Sequence, residues 1–318
     1  MKNKVSIIMY HYVREFKNSR FPEIKGLSLL HFRKQLKYLI RCCNIISMEE
    51  LIYSLKYGDS LPKRAALLTF DDGYADHFIN VFPLLKESGV SGSFFPPVKA
   101  VTHSQVLDVN KIHFILASIN DKQKLVEEIF SLLDEYKQKY SLECNRYYFR
   151  KLAVKDRFDT KEVVFIKRIL QKELPEDLRN EITGRLFNKY VTKNEKSFCN
   201  ELYLNVDQLK CMKRNGMYIG SHGFGHSWLN EMDEYKQKTE IALSLSFLHD
   251  IIGCDIKEWV MCYPYGSYND FLLKIIKDKG CVAGLTTEPR IADLTSDRPL
   301  TLPRLDVNDL IKIKGVMS

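Results

Sequence analysis

Short apolar segments alternate with segments of helical periodicity along most of this chain, and this alternation limits the folds open to it. Six apolar segments end abruptly in polar or glycine-rich residues, as buried strands do where they enter loops. Strands that alternate with helices favour a parallel sheet, either an open doubly wound sheet or a barrel. The predicted strands cover residues 5–11, 66–72, 91–97, 216–222, 259–266 and 281–287.

Between several of these strands, apolar residues recur at the spacing of one helix face. Gly89 and Gly280 follow two of the segments and mark their ends, because glycine readily adopts the conformation that closes a helix. The apolar positions that define the faces are Phe32, Leu36, Leu39 and Ile40 in 32–40, Phe78, Val81 and Leu85 in 75–90, and Phe271, Leu272 and Ile275 in 267–280.

One region interrupts the alternation. Residues 105 to about 200 contain no convincing strand, whereas 121–140, 160–174 and 176–190 have helical patterns. These helical faces are only moderately apolar, so we expect an α-helical insertion that packs on the barrel. The predicted organisation is therefore one barrel domain over residues 1–318 with this insertion.

Composition and charge exclude several classes of protein. Over 318 residues the hydrophobic fraction is 45% and the charged fraction 28%, which is ordinary for a globular protein. The net charge of +8 comes without the basic and aromatic patterns of nucleic-acid binders, so no nucleic-acid partner is expected. The N-terminus lacks a small-residue cleavage site, and no stretch reaches the roughly 18 apolar residues of a membrane span. The eight cysteines form no CxxC pair, and we expect free thiols and a cytoplasmic location.

Two adjacent carboxylates follow the second predicted strand, in "TFDDG" (69–73). Burying neighbouring acids is unfavourable unless something neutralises them. In one interpretation, Asp71 and Asp72 help to cap the following helix. In the other, a metal neutralises one carboxylate and the second is held as a base.

A pair of histidines follows another predicted strand, in "SHGFGH" (221–226). His222 and His226 are four residues apart and could share a face of a helical turn, although Gly223 and Gly225 make a tight loop equally compatible. Together with one aspartate, they would give a mixed oxygen and nitrogen ligand set with open positions. Such a set suits Zn²⁺, or Co²⁺ and related metals.

The segment "CYPYG" (262–266) also comes directly after an apolar run. Pro-Tyr-Gly is an ordinary turn signal. At the mouth of a metal site, the same turn could direct a backbone N–H towards a developing oxyanion.

In this order, the three segments resemble the first signature motifs of the polysaccharide deacetylase family, the NodB-homology group of carbohydrate esterase family 4. The resemblance implies a distorted (β/α) TIM-like barrel that hydrolyses N-acetyl groups of amino sugars. It implies a bound divalent metal, and the ligand set described above favours zinc, with cobalt or nickel as alternatives. Position by position, Asp72, His222 and His226 match the metal ligands, Asp71 the general base, and Tyr265 the residue whose backbone N–H binds the oxyanion.

Two positions depart from the family pattern. Cys262 stands where family members often have an arginine that orients the base, and Arg304 or Arg290 could replace it. The late L-x-H motif with the general acid is also missing, since no histidine follows His249. His11, at the end of the first strand, resembles the acid of the circularly permuted branch of poly-N-acetylglucosamine deacetylases. First and last strands are neighbours in a barrel, so a histidine near either end of the chain can reach one site.

The predicted function is metal-dependent removal of N-acetyl groups from amino sugars of a polysaccharide or of its lipid- or nucleotide-linked precursor. A lipid-linked substrate would place the protein at a membrane surface. Two alternatives remain, namely a C–N hydrolase acting on another small substrate and a non-catalytic saccharide-binding relic. The oligomeric state is not predicted.

Overall fold

The computed structural model describes residues 3–155 and 159–310. Its strands are short, and several end where a loop carries a candidate site residue. They are β1 (Lys4–Tyr10), β2 (Val13–Arg14), β3 (Leu27–Ser28), β4 (Asn44–Ile45), β5 (Ala65–Asp71), β6 (Ser93–Phe95), β7 (Tyr218–Ile219), β8 (Trp259–Cys262), β9 (Cys281–Leu285), β10 (Ala292–Asp293) and β11 (Leu305–Asp306).

Helices connect most of these strands, and short π-helical turns extend three of the helical segments at His77–Val81, Ile169–Glu173 and Phe247–Ile252. The α-helices are α1 (Leu29–Cys42), α2 (Met48–Tyr57), α3 (Phe82–Glu87), α4 (Val98–Thr102), α5 (Asp108–Ser118), α6 (Lys122–Tyr140), α7 (Asn145–Leu152), α8 (Lys161–Arg168), α9 (Glu176–Tyr190), α10 (Glu195–Leu202), α11 (Val206–Arg214), α12 (Glu234–Ser246), α13 (Asp270–Asp278) and α14 (Val307–Leu310).

The main sheet is mostly parallel, as the alternation of strands and helices predicts. Its central order is β10-β1-β5-β6-β7, with β11 beside β1 and β4 beside β5. Among the described strands of this sheet, only β10 runs antiparallel to its neighbour. Two further pairs, β2 with β3 and β8 with β9, are parallel two-stranded sheets.

The two central strands are buried on both faces, which explains their continuous apolar sequences. Alternate residues of β1 and β5 enter different hydrophobic clusters, because successive side chains of a strand point to opposite faces. Val5, Ile7, Ala65 and Leu67 belong to one cluster. Ile8, Tyr10, Leu68 and Phe70 belong to the other. Two-residue periodicity therefore assigns His11 and Asp71 to the face of the first cluster.

The mixed α/β architecture is confirmed, but the described ladders do not form a closed barrel. Isolated β-bridges connect the separate ladders, one between Ser221 and Met261 and one between Leu285 and Leu302. The Cys262 N–H donates to the Ser221 carbonyl at 2.8 Å, and the Leu302 N–H donates to the Gly284 carbonyl at 2.7 Å. The barrel therefore stays a proposal.

The described chain divides into two compact units. One contains the strands and consists of the chain up to Glu15, Gly26–Gln105 and the chain from Cys199 onward. The other consists of Phe16–Lys25 and Val106–Phe198, and no strand is assigned to its described residues. The sequence indicates the helical part but not the contribution of residues 16–25. Residues 1–2, 156–158 and 311–318 of the predicted domain lie outside the described residues, and the single-domain organisation stays a prediction.

The predicted helix faces are mostly buried, with one correction. Phe32, Leu36 and Leu39 enter the core, but Ile40 is 43% exposed because it lies at the edge of that face. The segment 75–90 is also not one regular α-helix, since a π-helical turn precedes α3. No helix in 3–155 or 159–310 combines the length and the hydropathy that a membrane crossing needs.

Candidate metal centre and active site

The site begins where β1 and β5 end side by side. Their parallel register finishes with Tyr10 opposite Phe70, so His11 and Asp71 are the next neighbours. His11 Nε2 lies 4.0 Å from Asp71 Oδ2. The Asp71 side chain is 2% exposed and that of His11 is 41% exposed. The carboxylate is therefore enclosed while the imidazole reaches solvent.

A left-handed turn separates Asp72 from Asp71. Asp72 has φ of +70° and Gly73 has φ of +64°, a backbone conformation that residues other than glycine rarely adopt. A Cβ on Gly73 would lie 2.7 Å from Pro96 Cβ, so only glycine fits there without a shift. The turn ends β5, and the Tyr74 hydroxyl donates to Asp72 Oδ2 at 2.6 Å.

His222 and His226 lie on a loop and not on a helix. Glu240 of α12 holds this loop, because its Oε2 accepts the backbone N–H groups of Phe224 at 2.8 Å and Gly225 at 3.0 Å. His226 itself has φ of +58°. A strained conformation of this kind persists only where surrounding contacts hold it, which is common at functional sites.

The structure brings Asp72, His222 and His226 together. His222 Nε2 lies 3.3 Å and His226 Nε2 3.1 Å from the same carboxylate oxygen, Asp72 Oδ1. His222 Nδ1 lies 2.6 Å from the Cys262 carbonyl and must donate, because a carbonyl only accepts. A neutral His222 therefore keeps a lone pair on Nε2, as a metal ligand requires.

These three residues fit a divalent metal. Asp72 Oδ1 is buried and makes no hydrogen bond with any described residue, which is unfavourable for a carboxylate oxygen unless a cation neutralises it. Burial would raise the pKa of Asp72, but the adjacent His226 and His222 imidazoles outweigh it and hold that pKa well below its usual range. One carboxylate and two imidazoles, with open positions, form a ligand set that zinc accepts.

Asp71 has a different neutralising group. Both terminal guanidinium nitrogens of Arg304 donate hydrogen bonds to Asp71, Nη1 to Oδ1 at 2.9 Å and Nη2 to Oδ2 at 2.7 Å. Burial alone would raise the pKa of Asp71, but the Arg304 guanidinium outweighs this and lowers the pKa to about 2. Arg290 instead pairs with Glu288 and Asp297. Of the two arginines that the sequence offers in place of Cys262, Arg304 is the one at Asp71.

Arg304 also distinguishes between two possible metal clusters. Asp71, His222 and Cys262 place ligand atoms within 4.8 Å of one another, as the Asp72 cluster does. Both Asp71 oxygens are already bound by a fixed cation, and burial raises the pKa of the Cys262 thiol. Since a metal would compete with Arg304 there, the Asp72 cluster is the better metal site.

Tyr265 lies in the short turn Pro264–Gly266 directly after β8, with φ of +58°. Its ring stacks on Trp228 with centroids 4.3 Å apart and contacts His226 edge-on at 4.7 Å. The structure therefore places Tyr265 beside a candidate ligand. Its oxyanion role stays a prediction.

Sequence reasoning missed two residues that contact this site. Tyr74 follows "TFDDG" directly, so its nearness to the acids was a usable signal. Glu240 is distant in sequence from the histidine loop, and nothing in the pattern of α12 distinguishes it from a surface acid.

Part of the chain also matches a known family in sequence. Residues 181–284 match the family model described as polysaccharide deacetylase, and this range contains both histidines and the Pro-Tyr-Gly turn. The resemblance to the polysaccharide deacetylase family is confirmed. A curated relative, the putative polysaccharide deacetylase YxkH of Bacillus subtilis (strain 168), is 32% identical over 97 residues, or 30% of this chain. The matched part spans about a third (34%) of the length of that relative.

Several solved structures have related folds, and the names of two of the three given below include the word deacetylase. The Streptococcus pyogenes deacetylase PplD, in complex with acetate, matches 98% of both chains with a TM-score of 0.60 and 18% identity. IcaB from Ammonifex degensii covers 96% of this chain and 92% of its own, with a TM-score of 0.55 and 16% identity. The BpsB deacetylase domain from Bordetella bronchiseptica covers 96% of each chain, with a TM-score of 0.56 and 16% identity. At these identities the likeness shows a shared mixed α/β fold.

Proposed function

We propose that this protein is a metal-dependent hydrolase that removes N-acetyl groups from amino sugars of a polysaccharide. One observation carries the proposal. Two adjacent carboxylates have separate partners, since Asp72 faces the two imidazoles of His222 and His226 whereas Asp71 is held by Arg304. This arrangement provides one metal ligand and one base within a single turn of chain, and the family resemblance names a reaction that uses both.

Asp72, His222 and His226 would hold the metal. When bound, a divalent cation there would polarise the acetyl carbonyl and make a water more acidic. Asp71 would take the proton from the attacking water. Arg304 keeps Asp71 ionised and fixes both its oxygens, so the base is oriented before the substrate arrives.

His11 would give a proton to the departing sugar nitrogen. Its position beside Asp71 and its partial exposure suit a group that must meet both the reacting centre and the substrate. The backbone N–H of Tyr265 would assist with the oxyanion, as the resemblance implies. Acetate and a free amino sugar result.

Three finer features belong to the proposal. The substrate is a polysaccharide or its lipid- or nucleotide-linked precursor, and a lipid-linked substrate would bring the protein to a membrane surface. The preferred metal is zinc, with cobalt or nickel as alternatives. The backbone contacts from Ser221 to β8, from β9 to Leu302 and from β11 to β1 would complete a distorted barrel around the cluster of Val5 and Leu67.

A panel of acetylated saccharides tests the proposal. Zinc-loaded protein should release acetate from N-acetylglucosamine oligosaccharides, with a free amine appearing in equal amount. Including lipid-linked and nucleotide-linked N-acetyl sugars distinguishes polymer from precursor. Acetate release from non-sugar amides alone would indicate a different C–N hydrolase, and saccharide binding without any acetate would indicate a binding relic.

A further inference from the structure

Three hydrogen bonds join the segment 11–14, which follows β1, to the segment 76–80, which follows the two aspartates. His77 Nε2 donates to the His11 carbonyl at 2.9 Å. The Asn80 side chain donates to the Val13 carbonyl at 2.8 Å. A third contact joins Arg14 Nε to Asp76 Oδ2 at 2.6 Å. We call Asp76, His77 and Asn80 the clamp.

His77 is an unusual residue for its surroundings. It is completely buried, and its ring contacts those of Phe70, Tyr74 and Phe94 with centroids 5.6–5.7 Å apart. Burial lowers the pKa of His77 to about 4, so the ring is neutral near neutral pH. A phenylalanine would fill an aromatic environment of this kind without placing polar nitrogens in it.

The bond to His11 determines which nitrogen of His77 carries the proton. A carbonyl oxygen only accepts, so Nε2 must be the protonated nitrogen. Nδ1 is buried without a hydrogen-bond partner among the described residues. The one side-chain hydrogen bond that the structure gives His77 therefore goes to the backbone of His11.

His11 has little else to fix its orientation. Its side chain is 41% exposed, and the carboxylate oxygen paired with it, Asp71 Oδ2, lies 4.0 Å away, too far for a hydrogen bond. The direction of its imidazole therefore depends on where the backbone leaves β1. The clamp holds that backbone from the same turn of chain that follows Asp71 and Asp72.

We propose that His77 is a positioning residue, which fixes the peptide of His11 so that the His11 imidazole meets the leaving nitrogen. This inference rests on the proposed deacetylase function and on the acid role of His11. Proton transfer is sensitive to small displacements of the donor, whereas attack on the carbonyl depends on the Asp71 side of the site. Loss of the clamp should therefore affect leaving-group protonation first.

Three variants test this. His77→Phe removes the donor but keeps a ring of similar size, His77→Gln keeps an N–H, and His31→Phe makes the same change at an exposed histidine on α1. The measured quantity is the ratio of amide hydrolysis to hydrolysis of an activated phenyl acetate, which needs no proton for its leaving group. His77→Phe should lower this ratio by about tenfold to 10²-fold, with metal content unchanged. His77→Gln should recover most of it, and His31→Phe should leave it unchanged.

Equal losses on both substrates, or none, would overturn the proposal. If His77→Phe does not fold, Asn80→Ala removes a neighbouring clamp bond and should lower the ratio in the same direction by a few-fold. A second readout does not need activity. Histidine NMR should give one set of His11 ring signals in the wild type and broadened or doubled signals in His77→Phe or Asn80→Ala. Unchanged signals would refute the clamp even if no substrate is hydrolysed, whereas a clamp effect without any acetate release would refute only the proposed function.

Discussion

At the scale of single residues, the site depends on how two neighbouring carboxylates are kept ionised. Asp71 and Asp72 are both almost fully buried, which favours protonation. The left-handed turn at Asp72 points them towards different partners, so each has its own compensating groups. In the proposed mechanism, separate compensation would let Asp72 bind the metal while Asp71 stays ionised and able to accept a proton.

Replacing Asp71 should separate these two roles. Asp71→Asn is nearly isosteric and removes the base, so deacetylation should fall by roughly 10²- to 10⁴-fold. Metal content, measured by atomic emission after zinc reconstitution, should stay at the wild-type level because Asp71 is not one of the proposed ligands. Activity within a few-fold of the wild type would assign the base to another residue.

Replacing Arg304 should change the pH dependence. Arg304→Met removes the main group that offsets burial and leaves only the smaller effects of His222 and His11, so the pKa of Asp71 should rise and the acid limb of the kcat/KM profile should move to higher pH. Arg304→Lys keeps the positive charge but loses the bidentate hydrogen bonding to Asp71. The acid limb of its kcat/KM profile should therefore move less than that of Arg304→Met. An acid limb in Arg304→Met that coincides with the wild type would show that Arg304 does not control the base.

The ion pair between Asp71 and Arg304 should also contribute to the stability of the fold. The pKa of Asp71 is about 2 in the folded protein, below its usual value of 3.8, so its ion pair with Arg304 stabilises the fold above about pH 4. This stability is lost as the pH falls through about 2. Urea unfolding at neutral pH should show a loss of about 3–5 kcal/mol in Arg304→Met, because breaking a buried pair leaves an uncompensated charge.

The sequence was sufficient to predict some of these residues and not others. Local sequence patterns place several site residues after the carboxyl ends of strands, at one edge of the sheet. These residues are Asp71, Asp72, His222, His226 and His11. Arg304 lies far along the chain from Asp71, and only the pairing of distant strands shows that it reaches Asp71 while Arg290 does not.

At the scale of elements, short strands and loops do most of the positioning. The predicted strands have the right order, but the segments 91–97, 216–222 and 259–266 shrink to β6, β7 and β8. The remaining apolar residues of these segments are buried in turns and do not pair with a neighbouring strand. An apolar sequence pattern alone does not distinguish a buried turn from a buried strand. Likewise, the spacing of His222 and His226 fits a helix, but Glu240 fixes it as a loop.

Glu240 should therefore matter for both stability and metal affinity. Glu240→Leu would leave the Phe224 and Gly225 N–H groups without their acceptor, costing about 1–3 kcal/mol in the free energy of unfolding. Zinc affinity should fall with it, since the loop carries His226. Glu240→Gln keeps an acceptor oxygen and should lose less in both measurements. Wild-type zinc affinity in a folded Glu240→Leu protein would show that this contact does not orient the ligand.

At the scale of the whole molecule, metal binding should be linked to folding. The three proposed ligands come from two distant parts of the chain, so the complete site exists only in the folded state. At a zinc concentration of about 100 Kd, the folded state should gain about 2.7 kcal/mol and its Tm should rise. Calorimetry should show this rise in the wild type and in Asp71→Asn but not in Asp72→Ala. A similar rise in Asp72→Ala would place the metal elsewhere.

The division of the chain was only partly predictable from the sequence. The helical patterns of 121–140, 160–174 and 176–190 correspond to helices in the structure. Phe16–Lys25 also belongs to the helical unit, and its ring contacts from Phe21 to Phe114 and Phe198 show why. Those contacts join residues far apart in sequence, so no local periodicity could reveal them.

Acetate release by metal-stripped and metal-reloaded protein tests the central claim most directly. N-acetylglucosamine oligosaccharides would be incubated with the wild type and with Asp72→Ala, each before and after addition of zinc or cobalt. We predict that stripped wild type is inactive, that reloading restores equal amounts of acetate and free amine, and that Asp72→Ala stays inactive. Acetate release by fully stripped protein, or none by protein shown to hold one metal ion at Asp72, would contradict the account.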